Sequence, residues 1–461
     1  MSATDPQFAT PPRPHAAPLR IRLDGPSHLH ERAAWALEAL LARIDVRDWV
    51  LVEADDDADI AWGEGPLLPC APSAWAFEAD APPDPEQDPL ATAFWWLARV
   101  EEQLAPPEAF DEHGRFRFEH SLLARKDAPL AAPVDTLAIR LGERGLNVWR
   151  AEREEGEPAW RLVLTHDIDL PRRWGVPGGV RRAARRVRDR ARSGRPIAAM
   201  RSAAALLAMP YWRIARRDPW ANARRIERLE ARQGARSTSY LLVGGDHAED
   251  GPRRMLDRGA GWFDATLMDA GVHGSYAASE QPALLVAERA IVETRVGHLV
   301  TDHRFHYLRH RPVTAWPLLA AAGFTSDASL GYAERPAFRA GTAHPFRAWD
   351  HSAGRPLDLV IIPLACMDAS YDARYLDLRA RARRVHALGA LARIAELGGA
   401  ASLLVHNDRI GAVDDDGWTR LYRSILRAVR ASGGAGCTAA EAAEAYRRRL
   451  PPHRTAAPPS P

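Results

Sequence analysis

Lysine is all but absent from this 461-residue chain: of its 62 basic residues only Lys126 is not arginine. Acidic residues nearly balance them, leaving a formal net charge of +2, so bulk charge gives no reason to expect a nucleic-acid partner. Cysteine is scarce and odd in number. Cys70, Cys366 and Cys437 are too widely separated to build a disulfide framework or a Cys-based zinc motif. Long apolar runs are missing as well. AAALLAM, at 203–209, falls far short of the roughly 20 residues needed to span a bilayer. The first residues, MSATDPQFATPPRPHAAP, show no apolar core behind a basic start and so do not read as a secretory signal. The expectation is a soluble, cytoplasmic protein with no integral membrane segment. No Walker loop, G-x-S-x-G elbow or HExxH is present, which removes support for nucleotide, serine-hydrolase and zincin chemistry.

What is present is ordinary in bulk and specific in detail. Apolar residues make up 46% and charged residues 26%, values of a soluble globular protein long enough for two or three domains. Residues 1–18 and 450–461, rich in Pro and Ala, read as disordered ends. Residues 19–155 carry a mixture of strand and helix patterns and read as a small α/β domain; DPLATAFWWLARVEEQL, at 88–104, is expected to be one helix capped by Asp88. From 156 to 449 short apolar strands alternate with amphipathic helices. That alternation predicts parallel strands with helical crossovers, hence a barrel or a doubly wound sheet. Asp218 as cap, Pro219 at the first position and Gly234 at the end mark one of those helices. The segment 171–217 breaks the alternation as an Arg-rich helical insertion, read as a solvated helix in preference to a basic flap over an anionic surface.

The chemistry lies at strand ends. In LVLTHDIDL, residues 162–170, an apolar strand runs into two carboxylates one residue apart. Residues i and i+2 of a strand share a face, so Asp167 and Asp169 can meet one site, where a cation would relieve their repulsion. An Asp pair opening a helix or loop is the common alternative. His273 ends another strand. His303, His306 and His310 follow in TDHRFHYLRH with Arg304 and Arg309, and SLLVHN ends on His406. Carboxylates and imidazoles at several strand ends fit a metal site with three protein ligands and one open position, served by a separate base and acid.

In this order, LTHDID, STSYLLV, GVHGSY, RFHYL, SDASLGY and LLVHN, the motifs resemble those of the polysaccharide deacetylases of carbohydrate esterase family four, the NodB-like enzymes. They are most similar to a bacterial branch with an LTHD-x-D first motif and an N-terminal α/β domain, here marked by DPLATAFWWLARVEE, DEHGRFRFEHSLL and PVDTLAIRL. The resemblance spans about residues 45–445. It implies a distorted (β/α)7 barrel preceded by the smaller α/β domain, a divalent metal such as Zn²⁺, a carbohydrate substrate, and removal of N-acetyl or O-acetyl groups. By the same resemblance Asp167 matches the general base, Asp169 and His273 match metal ligands, and Arg304 positions the base. The Tyr307 amide helps hold the oxyanion, His406 is the general acid, and Asp327 corresponds to the acidic residue that orients it.

Two departures bear on the metal. Ala277 stands where the family has its second metal histidine, and His306 stands where R-x-P-Y has proline. Spacing makes His306 the candidate third ligand, with His166 and His303 as competitors. Two other functions compete with the deacetylase: a non-catalytic carbohydrate-binding protein on a degenerate barrel, and an amide hydrolase of a small non-sugar substrate. Arg339 in FRAGT is either near substrate or structural; Gly244-Gly245 reads as a turn. Trp95, Trp96 and the DEHGRF loop read as domain-interface or core features, with an aromatic sugar platform as the alternative. The glycan, the oligomeric state and the role of the N-terminal domain are left open by the sequence.

Overall fold

The structure, a computed structural model, describes residues 17–451 apart from 55, 64, 170–178, 193, 195, 215–221, 245–246, 251–268 and 412–415. Four short strands near the N-terminus, β1 (Leu19–Leu23), β2 (Trp49–Val52), β3 (Ile60–Gly63) and β4 (Leu68–Pro69), form a parallel sheet in the order β2-β1-β3-β4. The helix His30–Arg43 buries Leu37, Leu40 and Leu41 at the helical spacing seen in the sequence. Asp88 caps the next helix, accepting from the amides of Leu90 and Ala91. That helix is not continuous to 104. It ends at Leu97, and a second begins at Val100, because Arg99 takes a left-handed conformation with φ 58°. The break is held by buried charge. The Arg99 guanidinium donates to Glu102 (2.8 Å) and to the Trp96 carbonyl (3.1 Å), and Arg339 from the second half of the chain donates to the same Glu102 (2.6 and 2.8 Å). Burial would raise the Glu102 carboxyl, but Arg339 and Arg99 pull it down to about 2. Arg339 is therefore a structural tie between the two halves.

The second half is a barrel of parallel strands. Its staves are β5 (Trp160–Ile168), β6 (Thr238–Leu242), β7 (Ala270–Gly274), β8 (Asp302–Phe305) and β9 (Ser326–Asp327). After the antiparallel edge strand β10 (Phe346–Asp350) come β11 (Arg355–Ile361), β12 (Leu364–Met367) and β13 (Ala400–Leu404). β11 pairs with β9 and β12 pairs with β13, yet only Ile362 and Pro363 separate them. This one stretch of chain closes the sheet on itself, bridged by Ile362 N–H to Asp327 O (2.8 Å) and Ser402 N–H to Pro363 O (2.7 Å). Counting β11 and β12 as one, seven staves result, so the barrel expectation is met. β14 (Gly434–Cys437) lies outside the ring, pairing with the first half of β5 while β6 pairs with its second half. The crossovers include the helices Pro282–Val296, Pro312–Ala321 and Ala380–Glu396.

The two halves share a hydrophobic core. Trp35 and Phe94 of the first half pack on Trp349 of β10 with ring centroids 5.3 Å apart in both contacts. The Arg-rich insertion contains helices Gly179–Arg192, Pro196–Leu207 and Met209–Ile214. The expected helix around 218–234 begins at Ala223; Asp218 and Pro219, its predicted cap, lie outside the described residues, as does Gly245. No helix of the described residues is long and apolar enough to cross a membrane.

Candidate active site

Every polar strand end singled out in the sequence lies on one rim, the C-terminal end of the barrel staves, where barrel enzymes place their chemistry. Alternation along β5 decides between neighbours. His166 faces outward, meeting the Val405 carbonyl (2.6 Å) and Glu230 (2.9 Å), a carboxylate that also accepts from the Tyr422 hydroxyl (2.5 Å). Thr165 and Asp167 face inward to Arg304, which crosses the barrel from β8. Its Nη1 donates to Thr165 Oγ1 (2.8 Å) and Asp167 Oδ1 (3.1 Å), its Nε donates to the Ala328 carbonyl (2.9 Å), and it stacks on the Tyr240 ring at 4.7 Å. Asp167 and Arg304 are buried. A carboxylate fixed in this way keeps one oxygen, Oδ2, turned toward His273 at 3.4 Å.

Asp169, His273 and His306 converge, with one donor atom from each lying within 4.8 Å of the other two. The His273 Nδ1–H donates to the Arg304 carbonyl (2.9 Å), which leaves Nε2 as a lone pair facing Asp169 Oδ1 at 3.3 Å. His306 Nδ1 is held by Asp250 (2.8 Å), a buried residue, and its Nε2 points to Asp169 Oδ2 at 3.9 Å. Asp169 Oδ1 is buried and accepts no hydrogen bond among the described residues. Burial opposes its ionisation, but the imidazoles of His273, His306 and His406 outweigh that and hold the carboxyl well below the usual range. An ionised oxygen and two outward lone pairs facing one another are a donor set that a divalent cation fits, and each imidazole is oriented by a partner on its far nitrogen, as metal-binding histidines are. Without a cation a proton takes its place: burial disfavours the His273 imidazolium, Asp167 and Asp169 favour it, and the balance is upward. Ala277 sits in the turn after β7, and His306 supplies the third donor of the cluster.

His406 follows β13 on the other side of Asp169, its Nε2 3.7 Å from Oδ2. Its orienting carboxylate is Asp368, not Asp327. Asp368, buried at the end of β12, accepts from His406 Nδ1 (2.6 Å) and from the His406 backbone amide (2.9 Å). Asp327 is turned away and serves His303 Nδ1 (3.0 Å) and the Ser329 hydroxyl (2.6 Å). The strand period is the reason: His303 and Arg304 are adjacent on β8 and must point to opposite faces. His303 is thereby kept out of the Asp169, His273 and His306 cluster, and His310 stacks on Phe305 with ring planes 14° apart. Burial works against a charged His406, but Asp368 more than reverses it, holding the imidazolium well above the ordinary histidine range.

Tyr307 and Leu308 are both left-handed, with φ 60° and 55°, a conformation uncommon for residues other than glycine. The Tyr307 hydroxyl donates to Glu249 (2.6 Å). A cavity of ≈ 410 Å³ opens here, lined by Asp167, Asp169, His273, His306, Tyr307 and His406 among others. That volume falls within the roughly 300–1,000 Å³ usual for small-ligand sites. Sequence reading missed Asp250, Asp368, Glu249 and Arg115 among the residues of this rim.

Residues 38–144 match the family model described as a family of unknown function, DUF7033. No curated protein matches the chain. Among solved structures, it is similar to a protein provisionally described as a polysaccharide deacetylase from Mycobacterium smegmatis, with TM-score 0.42 and 16% identity over 68% of this chain and 98% of that one. A second, with the same kind of description, is from Pseudomonas aeruginosa PAO1, with TM-score 0.40 and 10% identity over 65% and 95%. A third is the Puue allantoinase, with TM-score 0.40 and 10% identity over 63% and 91%. At this level of likeness none of them says what the present chain acts on.

Proposed function

We propose that this chain is a metal-dependent hydrolase that removes acetyl groups, N-linked, from a carbohydrate. The observation that supports it most strongly is a division of labour at one rim. Asp169, His273 and His306 form a ready cation site, Asp167 is a separate carboxylate fixed by Arg304, and His406 is a separate imidazolium fixed by Asp368. A divalent ion such as zinc, held by the first three, would polarise an acyl carbonyl and acidify water. Asp167, with Oδ2 directed into the site, takes the proton of the attacking water. Arg304 keeps that carboxylate in place. His406, protonated at neutral pH because of Asp368, gives its proton to the departing amine. The Tyr307 amide, on its left-handed turn, is the candidate donor to the developing oxyanion.

His306 at the third corner also weakens the case for a non-catalytic binding protein, which was motivated by Ala277. The choice of a sugar over a small amide comes from the motif resemblance. Free acetate released from N-acetylated chito-oligosaccharides, abolished by a chelator and restored by zinc, is the expected result. Ammonia from small amides with no acetate would make the chain an amide hydrolase. Glycan binding with neither product would make it a binding protein.

A further inference from the structure

The region matching the family of unknown function reaches the cavity. Residues 111–115 form a tight turn at the barrel mouth, flanked by a bridge between Phe110 and Phe116. Asp111 organises it: Oδ1 accepts from the amides of His113 (2.9 Å) and Arg115 (3.0 Å), while Oδ2 accepts from Arg115 Nε (2.7 Å). Gly114 at φ 72° completes the reversal. The turn straddles two barrel loops. On one side His113 Nδ1 meets the Tyr276 hydroxyl (2.9 Å) and its ring packs on Tyr307, centroids 4.8 Å apart. On the other, Arg374 donates to Glu112 (2.7 Å) and Arg115 Nη2 to the Tyr375 hydroxyl (3.2 Å). Arg115, 7% exposed and lining the cavity, donates from Nη1 to the carbonyl of Tyr307 (3.0 Å).

That carbonyl belongs to the peptide between two left-handed residues. Neither Tyr307 nor Leu308 is glycine, so the conformation persists only where surrounding groups fix it. The guanidinium is itself immobilised by Asp111 and Tyr375, which suits it to the task. We propose that the N-terminal unit is part of the active site: its 111–115 turn places Arg115 in the cavity wall, and Arg115 is the positioning residue that holds the Tyr307–Leu308 turn in its left-handed form. The role rests on the hydrolase reading and extends it, since it concerns the residue whose amide that reading makes the candidate oxyanion donor. It accounts for a first domain that shares a core with the barrel.

The test pairs kinetics with hydrogen exchange in full-length wild type, Arg115→Ala and Arg115→Lys. In Arg115→Ala, exchange in the segment 304–310 is expected to rise by about tenfold or more while the rest of the barrel stays protected. At the same metal content, kcat is expected to fall by about 100-fold, with KM changed no more than about threefold, as for a misplaced catalytic group. Arg115→Lys, keeping one donor without the planar fork, should fall between the two. The proposal is overturned if either exchange or kcat in Arg115→Ala stays within about threefold of wild type. Should Arg115→Ala not fold, the same two readouts in Arg115→Lys decide. If wild type releases no acetate at all, the hydrolase reading fails by itself, and exchange alone still shows whether Arg115 holds the turn.

Discussion

Asp167→Asn is expected to keep its metal and lose its chemistry. The substitution preserves shape and leaves Asp169, His273 and His306 untouched, so metal content should match wild type. An amide cannot accept the water's proton, and loss of a positioned general base costs typically 10²–10⁴-fold in rate. Here the upper part of that range, about 10³–10⁴-fold in kcat, is expected, because the neighbouring inward side chain of β5, Thr165, is a hydroxyl already engaged by Arg304 and the Leu403 carbonyl and offers no substitute base. Single-turnover acetate release at matched metal content checks it. Metal lost from Asp167→Asn would make Asp167 a ligand, a reassignment its 3.4 Å approach to His273 would permit.

The second large effect concerns His406. Removing it as His406→Ala is expected to reduce kcat by about 10²–10³-fold and to erase the alkaline limb of the pH profile. The sign follows from its surroundings. Burial lowers the His406 pKa, Asp368 raises it further, and the result lies above the ordinary value, so the acid is protonated at neutral pH and lost as pH rises through that raised value. Asp368→Asn removes the strongest raising partner and leaves burial opposed only by Asp169 and Asp167. Its alkaline limb should therefore move to lower pH, with turnover at acidic pH much less affected than at pH 8. An unmoved limb in Asp368→Asn would show that some other group donates the proton.

The same asymmetry explains what could be read from the amino acids alone. Strand-end polarity marks Asp167, Asp169, His273, Arg304 and His406 for one rim, because the helix–strand alternation that builds a barrel also fixes which ends coincide, whereas Tyr307 enters only through the motif resemblance. Period two would have separated His166 from Asp167 and His303 from Arg304, and the structure makes that separation. Asp368 was overlooked although ACMD ends a strand as LTHD does. Pro363 stands between β11 and β12, so LDLVIIPL reads as a strand that stops at Leu364, short of the polar terminus. Asp327 was then chosen by motif position alone. The break at Arg99 is hidden too, because a left-handed arginine is stabilised here by Glu102, which is itself held by Arg339, 237 residues beyond Glu102. The DEHGRF loop reads as a domain-interface feature, but nothing local assigns Arg115 to the Tyr307 carbonyl. Its contact with Tyr307 spans 192 residues and exists only because the two halves pack around a shared core.

The central claim is that Asp169, His273 and His306 hold a divalent metal. Elemental analysis of purified wild type after zinc loading and desalting, beside Asp169→Ala, His273→Ala and His306→Ala, tests it most directly. The structure predicts about one ion per chain in wild type and loss from all three variants, as for a site with three protein ligands. Retention by His306→Ala alone would leave the cation to other ligands, and a wild type that holds none would contradict the claim outright.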